Sequence, residues 1–270
     1  MGRLTSPIYR TDLNPSFKMN SKPFLSIDNQ TISVTQALAY LRATGDLQPF
    51  LLKIIRQHIL ETELQTYNNL EIDSAIIEQA AIDFRFENQL NDPDRFQEWL
   101  KTQGISYVEF RHQIVARLKI EKLKAEVTAP KLEEYFNANK ALLDQIILSR
   151  IVVAAKDFAL SLRSQILEDS NRFESLAQEH SLTDDRLVKG IVGPISLGQI
   201  PEQIRESVAT ATPGELIGPL EIDGRYTLLR VEQFLPAFLE GSLKQQLQEQ
   251  LFDQWLQEKA QKMTIKMHVE

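Results

Sequence analysis

The hydrophobic period of this chain changes once, near Ile146, and that switch constrains the fold more than any other feature. Ahead of it, residues recur at helical spacing through Phe50, Leu51, Ile54, Ile55, His58, Ile59 and Leu64, which predicts one long amphipathic helix starting at Leu47. At residues 146–154 the run IILSRIVVA is β-branched and bounded by polar residues, the pattern of a buried strand. A mainly helical region therefore precedes a region of mixed elements, and 270 residues with 43% hydrophobic composition can bury a core in each.

Within the first region, residues 1–23 carry three prolines and no periodicity, which predicts a flexible tail. Alternation from Phe24 to Val34 about Asp28-Asn29 predicts a β-hairpin. A helix follows, capped near Ser33 or Thr35 and stopped at Gly45. Beyond the Leu47 helix, residues 72–90 read as another, and Asp92 caps one that opens on Pro93 and ends at Gly104. Ser106 opens a long helix through Leu123, and Thr128 with Pro130 opens a shorter one carrying Tyr135 and Phe136.

After the switch the expected order is strand (147–154), helix (157–168), helix (173–180), a short strand near Val192, helix (202–208), strand (216–222), a turn at Asp223-Gly224 and strand (226–233). The fold class is α+β, with a small mixed sheet flanked by helices. Residues 239–263 form a last amphipathic helix with Leu243, Leu247, Leu251, Trp255 and Leu256 on one face, a stripe that needs a surface to cover it. Alternation at Ile265, Met267 and Val269 predicts a closing strand.

Charge and composition exclude several classes. The 37 acidic and 30 basic residues are mixed along the chain and sum to -7, leaving no basic stripe for nucleic acid. There is no cysteine, so disulfides and thiolate chemistry are excluded. Apolar runs such as Phe50-Leu51-Leu52 are far short of the ~20 residues of a membrane-spanning helix. The polar, proline-broken N-terminus lacks the apolar core of a secretory signal, which predicts a cytoplasmic location. The four histidines, His58, His112, His180 and His268, show no ligand spacing with carboxylates, and no Gly-rich turn links a strand to a helix; neither metal nor cofactor is expected.

Ordered motifs then point to a family. Phe173-Glu174-Ser175-Leu176-Ala177, Ser181, Gly190-Ile191-Val192-Gly193, Gly198-Gln199-Ile200-Pro201, Pro213-Gly214-Glu215 and Leu229-Arg230-Val231-Glu232 follow one another at fixed spacing. Residues 148–232 thereby resemble the parvulin, or PpiC-type rotamase, domain of peptidyl-prolyl isomerases. Phe96, Leu100, Gly104, Phe110, Arg111 and Ile114, with the Tyr135-Phe136 helix, resemble the N-terminal helical chaperone domain of SurA-type foldases. The resemblance implies four segments: the tail (1–23), a SurA-like helical domain (24–146), a parvulin-like domain (147–235), and a C-terminal helix and strand (236–270) packing back on the helical domain. It also makes the periplasm the alternative location.

Parvulins place an apolar proline pocket beside two histidines, a Cys or Asp, and a hydroxyl. Carried over by position, the resemblance puts the peptide-binding residues at Val192, Ile195, Ile200 and Ile204, all aliphatic. The first histidine position holds Arg150, and the second holds Thr227, or Tyr226 if the strand is shifted by one. The Cys or Asp position falls on Thr183 or its neighbour Asp184. A permanently charged guanidinium cannot share protons as an imidazole does. The implied function is a parvulin-family foldase that holds unfolded or extended polypeptide, its isomerase activity weak or lost. One alternative is an isomerase with a rearranged cluster of Thr183, Asp184, Tyr226 and Thr227; another is a dedicated binder of one client peptide or secretion component.

Overall fold

The computed structural model describes residues 23–67 and 70–268. They form two compact units, one of residues up to 65 with those from 258 onward, the other of residues 66–257. Apart from Pro23, the expected tail lies outside the described residues.

In the first unit, β1 (Pro23–Ile27) and β2 (Gln30–Ser33) pair antiparallel. Asp28 takes the left-handed φ of 51° that the tight turn requires. Ser33 then opens α1 (Val34–Thr44) with a capping box shared with Gln36, and Gly45 closes it at φ 82°. The Leu47 helix, α2 (Leu47–Thr66), follows, and its Glu63 pairs with Lys259 at 2.6 Å.

The second unit opens with α3 (Ser74–Glu87) and α4 (Pro93–Gln103), whose N-terminus is capped by the Asp92 carboxylate and whose last turn ends at Gly104. These helices pack Ile77, Phe96 and Leu100 on Phe110 and Ile114 of α5 (Tyr107–Leu143). The break expected at Thr128–Pro130 does not occur, because α5 runs through Pro130. A proline inside a helix costs about 3 kcal/mol. Beyond it, Leu132 and Phe136 are buried with Leu247 and Leu251, and each such burial contributes about 1.5–3 kcal/mol. Packing outweighs the lost hydrogen bond.

One residue, Asp144, separates α5 from the strand β3 (Gln145–Val153). Then come α6 (Lys156–Glu168), α7 (Phe173–His180), β4 (Ile191–Ser196), α8 (Glu202–Thr210), β5 (Leu216–Ile222), β6 (Arg225–Leu235) and α9 (Gly241–Gln261). The architecture is α+β, as the sequence implies. The sheet, in the order β4-β3-β6-β5, is antiparallel at each pairing rather than mixed. The Asp223-Gly224 turn dictates this for β5 and β6, and β3 runs opposite to both its neighbours.

The stripe on α9 is covered: Leu247 and Leu251 lie against Leu132 and Phe136, Lys124 pairs with Glu249 at 2.6 Å, and Gln250 donates to the Tyr135 hydroxyl. Residues 264–268 pair with no strand among the described residues; Val269 lies outside them. Among the described residues no helix is long and apolar enough to cross a membrane.

Candidate functional site

Alternation along β3 and β6 gives the sheet two different faces. Ile151, Val153 and Leu228 point to α6 and α7, where they form a closed core with Leu162, Phe173 and Ala177. Leu148, Val152 and Leu229 point the other way and floor an open cavity of about 480 Å³. Val192 and Ile195 of β4, Ile200, and Ile204 of α8 wall it. All four residues expected to bind peptide therefore converge on one cavity.

The polar positions sort themselves by face. Arg150, flanked by Leu148 and Val152, lines the cavity from β3, and Thr227 lines it from β6, where it pairs with Val152. Tyr226 belongs to the other face, packed on the α6–α7 core. Its hydroxyl donates to Glu221 at 3.1 Å, and this bond to the carboxylate pushes the phenol above its ordinary range. Thr183 lines the cavity, whereas Asp184 is exposed and outside it.

Asp185, one residue on, is the carboxylate bonded to the cavity-lining residues Arg150 and Thr183. It accepts a hydrogen bond and ion pair from Arg150 Nε, and its other oxygen accepts from Thr183 Oγ1 at 2.5 Å. Thr183 Oγ1 is 3.0 Å from Ser181 Oγ, which accepts the Val152 N–H at 3.1 Å. A polar chain thus ties the segment after α7 back to β3. Lys189 fixes the far end of that segment through Glu174 of α7 at 2.9 Å, and this contact holds the Glu174 carboxyl below its ordinary range.

The glycine motif has a steric cause. Gly190 sits at φ 81° against β3, and a Cβ there would lie 2.5 Å from the Arg150 carbonyl oxygen. Only glycine allows this approach, which brings the Arg150 N–H to the Gly190 carbonyl at 2.8 Å. The Gly190 N–H in turn donates to the Asp185 carbonyl at 2.8 Å.

Sequence reasoning missed Asp185, Gln199, Asp223 and Arg225. The last three line the cavity from the turn before α8 and from the tip of the β5–β6 hairpin. Two adjacent aspartates in a 3-10 turn carry no periodicity to say which faces inward, and the hairpin tip was legible only as a turn. No histidine lines the cavity, and no group of three or more potential metal ligands occurs among the described residues.

Residues 149–233, which hold most of this cavity's lining, match the Rotamase family, the PPIC-type PPIase domain. The chain is also similar to the chaperone SurA of Xylella fastidiosa (strain 9a5c), 25% identical over 219 residues that cover 71% of this chain and 46% of that protein. SurA of Polaromonas sp. is 23% identical over 252 residues, 83% of this chain and 53% of that one. The chain thus spans about half the length of the curated relatives it matches. Among solved structures, the peptidylprolyl isomerase PrsA of Bacillus anthracis is similar at 18% identity and a TM-score of 0.44, covering 81% of this chain and 99% of that one.

Proposed function

We propose that this chain binds extended polypeptide through an apolar residue seated in the cavity, acting as a chaperone-type holder with weak or no prolyl isomerisation. One observation carries this reading: the four aliphatic positions are kept and convergent, while the two imidazole positions hold Thr227 and an Arg150 paired with Asp185. Rotating a peptide bond must overcome about 18–20 kcal/mol of amide resonance. A catalyst needs polar groups that favour the twisted amide over the planar one, and a guanidinium held at permanent charge offers no proton exchange.

The rearranged-cluster alternative draws support from the hydrogen-bonded chain through Ser181, Thr183, Asp185 and Arg150, since such a chain can orient donors toward a substrate carbonyl. A protease-coupled isomerisation assay with several residues before proline separates the two. Binding of apolar peptides without acceleration is the expected result. Turnover abolished by Arg150→Ala or Thr227→Ala overturns it in favour of an isomerase.

A further inference from the structure

The polar rim of the cavity consists almost entirely of hydrogen-bond donors. Arg150 spends only Nε on Asp185, and its terminal nitrogens make no hydrogen bond within the described residues. Gln199 accepts the Ser196 N–H through its side-chain oxygen at 3.2 Å, which leaves its amide N–H groups as what it offers. Arg225, at the hairpin tip, is exposed and has no carboxylate within ion-pair distance among the described residues. Thr183 donates inward, to Asp185.

Of the carboxylates nearby, Asp185 is engaged by Arg150 and Thr183, and Asp223 is the one among the described residues that lines the cavity with these donors. Glu221 lines a second, smaller depression of about 250 Å³ on the far side of Ile204 and Ile222 and does not line the cavity. Asp223 stands at the junction and lines both. The ligand that complements the large cavity therefore supplies an apolar side chain for its floor and acceptors, with negative charge, for its rim.

We propose that the cavity selects peptides in which the apolar anchor is flanked by an acidic side chain, with Arg225 as the selecting residue and the terminal nitrogens of Arg150 and the Gln199 amide as further donors. This rests on the peptide-holding reading above and names its ligand class. Arg150 is a poor place to test it, because its removal also releases Asp185 and the segment behind it. Arg225 holds nothing else in place.

The test is fluorescence anisotropy with the full chain and three labelled peptides, blocked at both ends so that no terminal carboxylate competes. They are identical except for Glu, Ala or Lys beside one apolar anchor. At low ionic strength the Glu peptide is expected to bind about fivefold tighter than the Lys peptide, the scale of one or two exposed charge pairs, and the gap should close at high salt. In Arg225→Glu the order of Glu and Lys should reverse while the Ala peptide keeps its affinity. Equal affinity for Glu and Lys peptides, or tighter Lys binding through Glu221 and Asp223, overturns the inference. Failure of the Ala peptide to bind at all, or Ala binding that survives Ile204→Gln, instead strikes the peptide-holding reading.

Discussion

The two faces of the four-stranded sheet are made from the same strands and differ in what covers them. Toward α6 and α7, Ile151, Phe173, Ala177 and Leu162 are each 0% exposed. Toward the cavity, Leu148 and Leu229 keep only an apolar floor while Arg150 and Ile204 stay within reach of solvent. Neighbouring residues of one strand, Arg150 and Ile151, thereby serve different ends. The cavity side has a buried core of its own, with Ile146, Val208 and Val231 each 0% exposed, and the open cavity lies beside that core.

Substitutions on the closed face should cost the most stability. Phe173→Ala removes a fully buried ring that also carries the Arg230 guanidinium 4.6 Å above it, and a loss of about 3–5 kcal/mol in chemical denaturation is expected. A loss below 1 kcal/mol would show that this face is not the closed core. Gly190→Ala acts at the boundary between the faces. It forces a Cβ to within 2.5 Å of the Arg150 carbonyl at a φ of 81°, and backbone strain of this kind costs about 1–3 kcal/mol. Denaturation should report that loss together with weaker peptide binding, since the segment carrying Thr183 and Asp185 must shift.

On the open face the balance reverses. Ile204→Gln should weaken binding of an apolar peptide about tenfold, or about 1.4 kcal/mol, while shifting the denaturation midpoint far less than Phe173→Ala. Equal effects on both readouts would dissolve the distinction. The smallest effect has the opposite sign. Ser149 lies on the closed face, and its hydroxyl is buried without a hydrogen-bond partner among the described residues. Ser149→Ala is therefore expected to stabilise, by about 1 kcal/mol at most, and a destabilisation of that size would reveal a partner for the hydroxyl.

Most elements of the fold were legible because they carry local signatures. Ser33, Asp92 and Ser106 cap the helices they were expected to cap, and the Asp28 and Asp223 turns fall where the alternation breaks. Pro130 misled because the packing of Leu132 and Phe136 on α9 comes from residues more than a hundred positions away. The expected strand at 265–269 misled for the converse reason, since alternation is only half of a strand and a hydrogen-bonding neighbour is the other half. At the site, the residues that converge from β3, β4, β6 and α8 followed from the family motifs. Asp185 and Arg225 did not, because their placement depends on a 3-10 turn and a hairpin tip whose side-chain directions no sequence period encodes.

The uninterrupted α5 also acts as a phase-setting shaft. Its 37 residues span about 55 Å at 1.5 Å per residue, and Asp144 alone stands between it and β3, its carboxylate tied to Lys140 and to the Ala237 N–H. Inserting one residue between Lys124 and Pro130 would turn everything beyond it by about 100°, α9 included, and so pull Glu249 away from Lys124. Length changes in this helix are therefore quantised: seven added residues nearly restore the angle, whereas one or two do not.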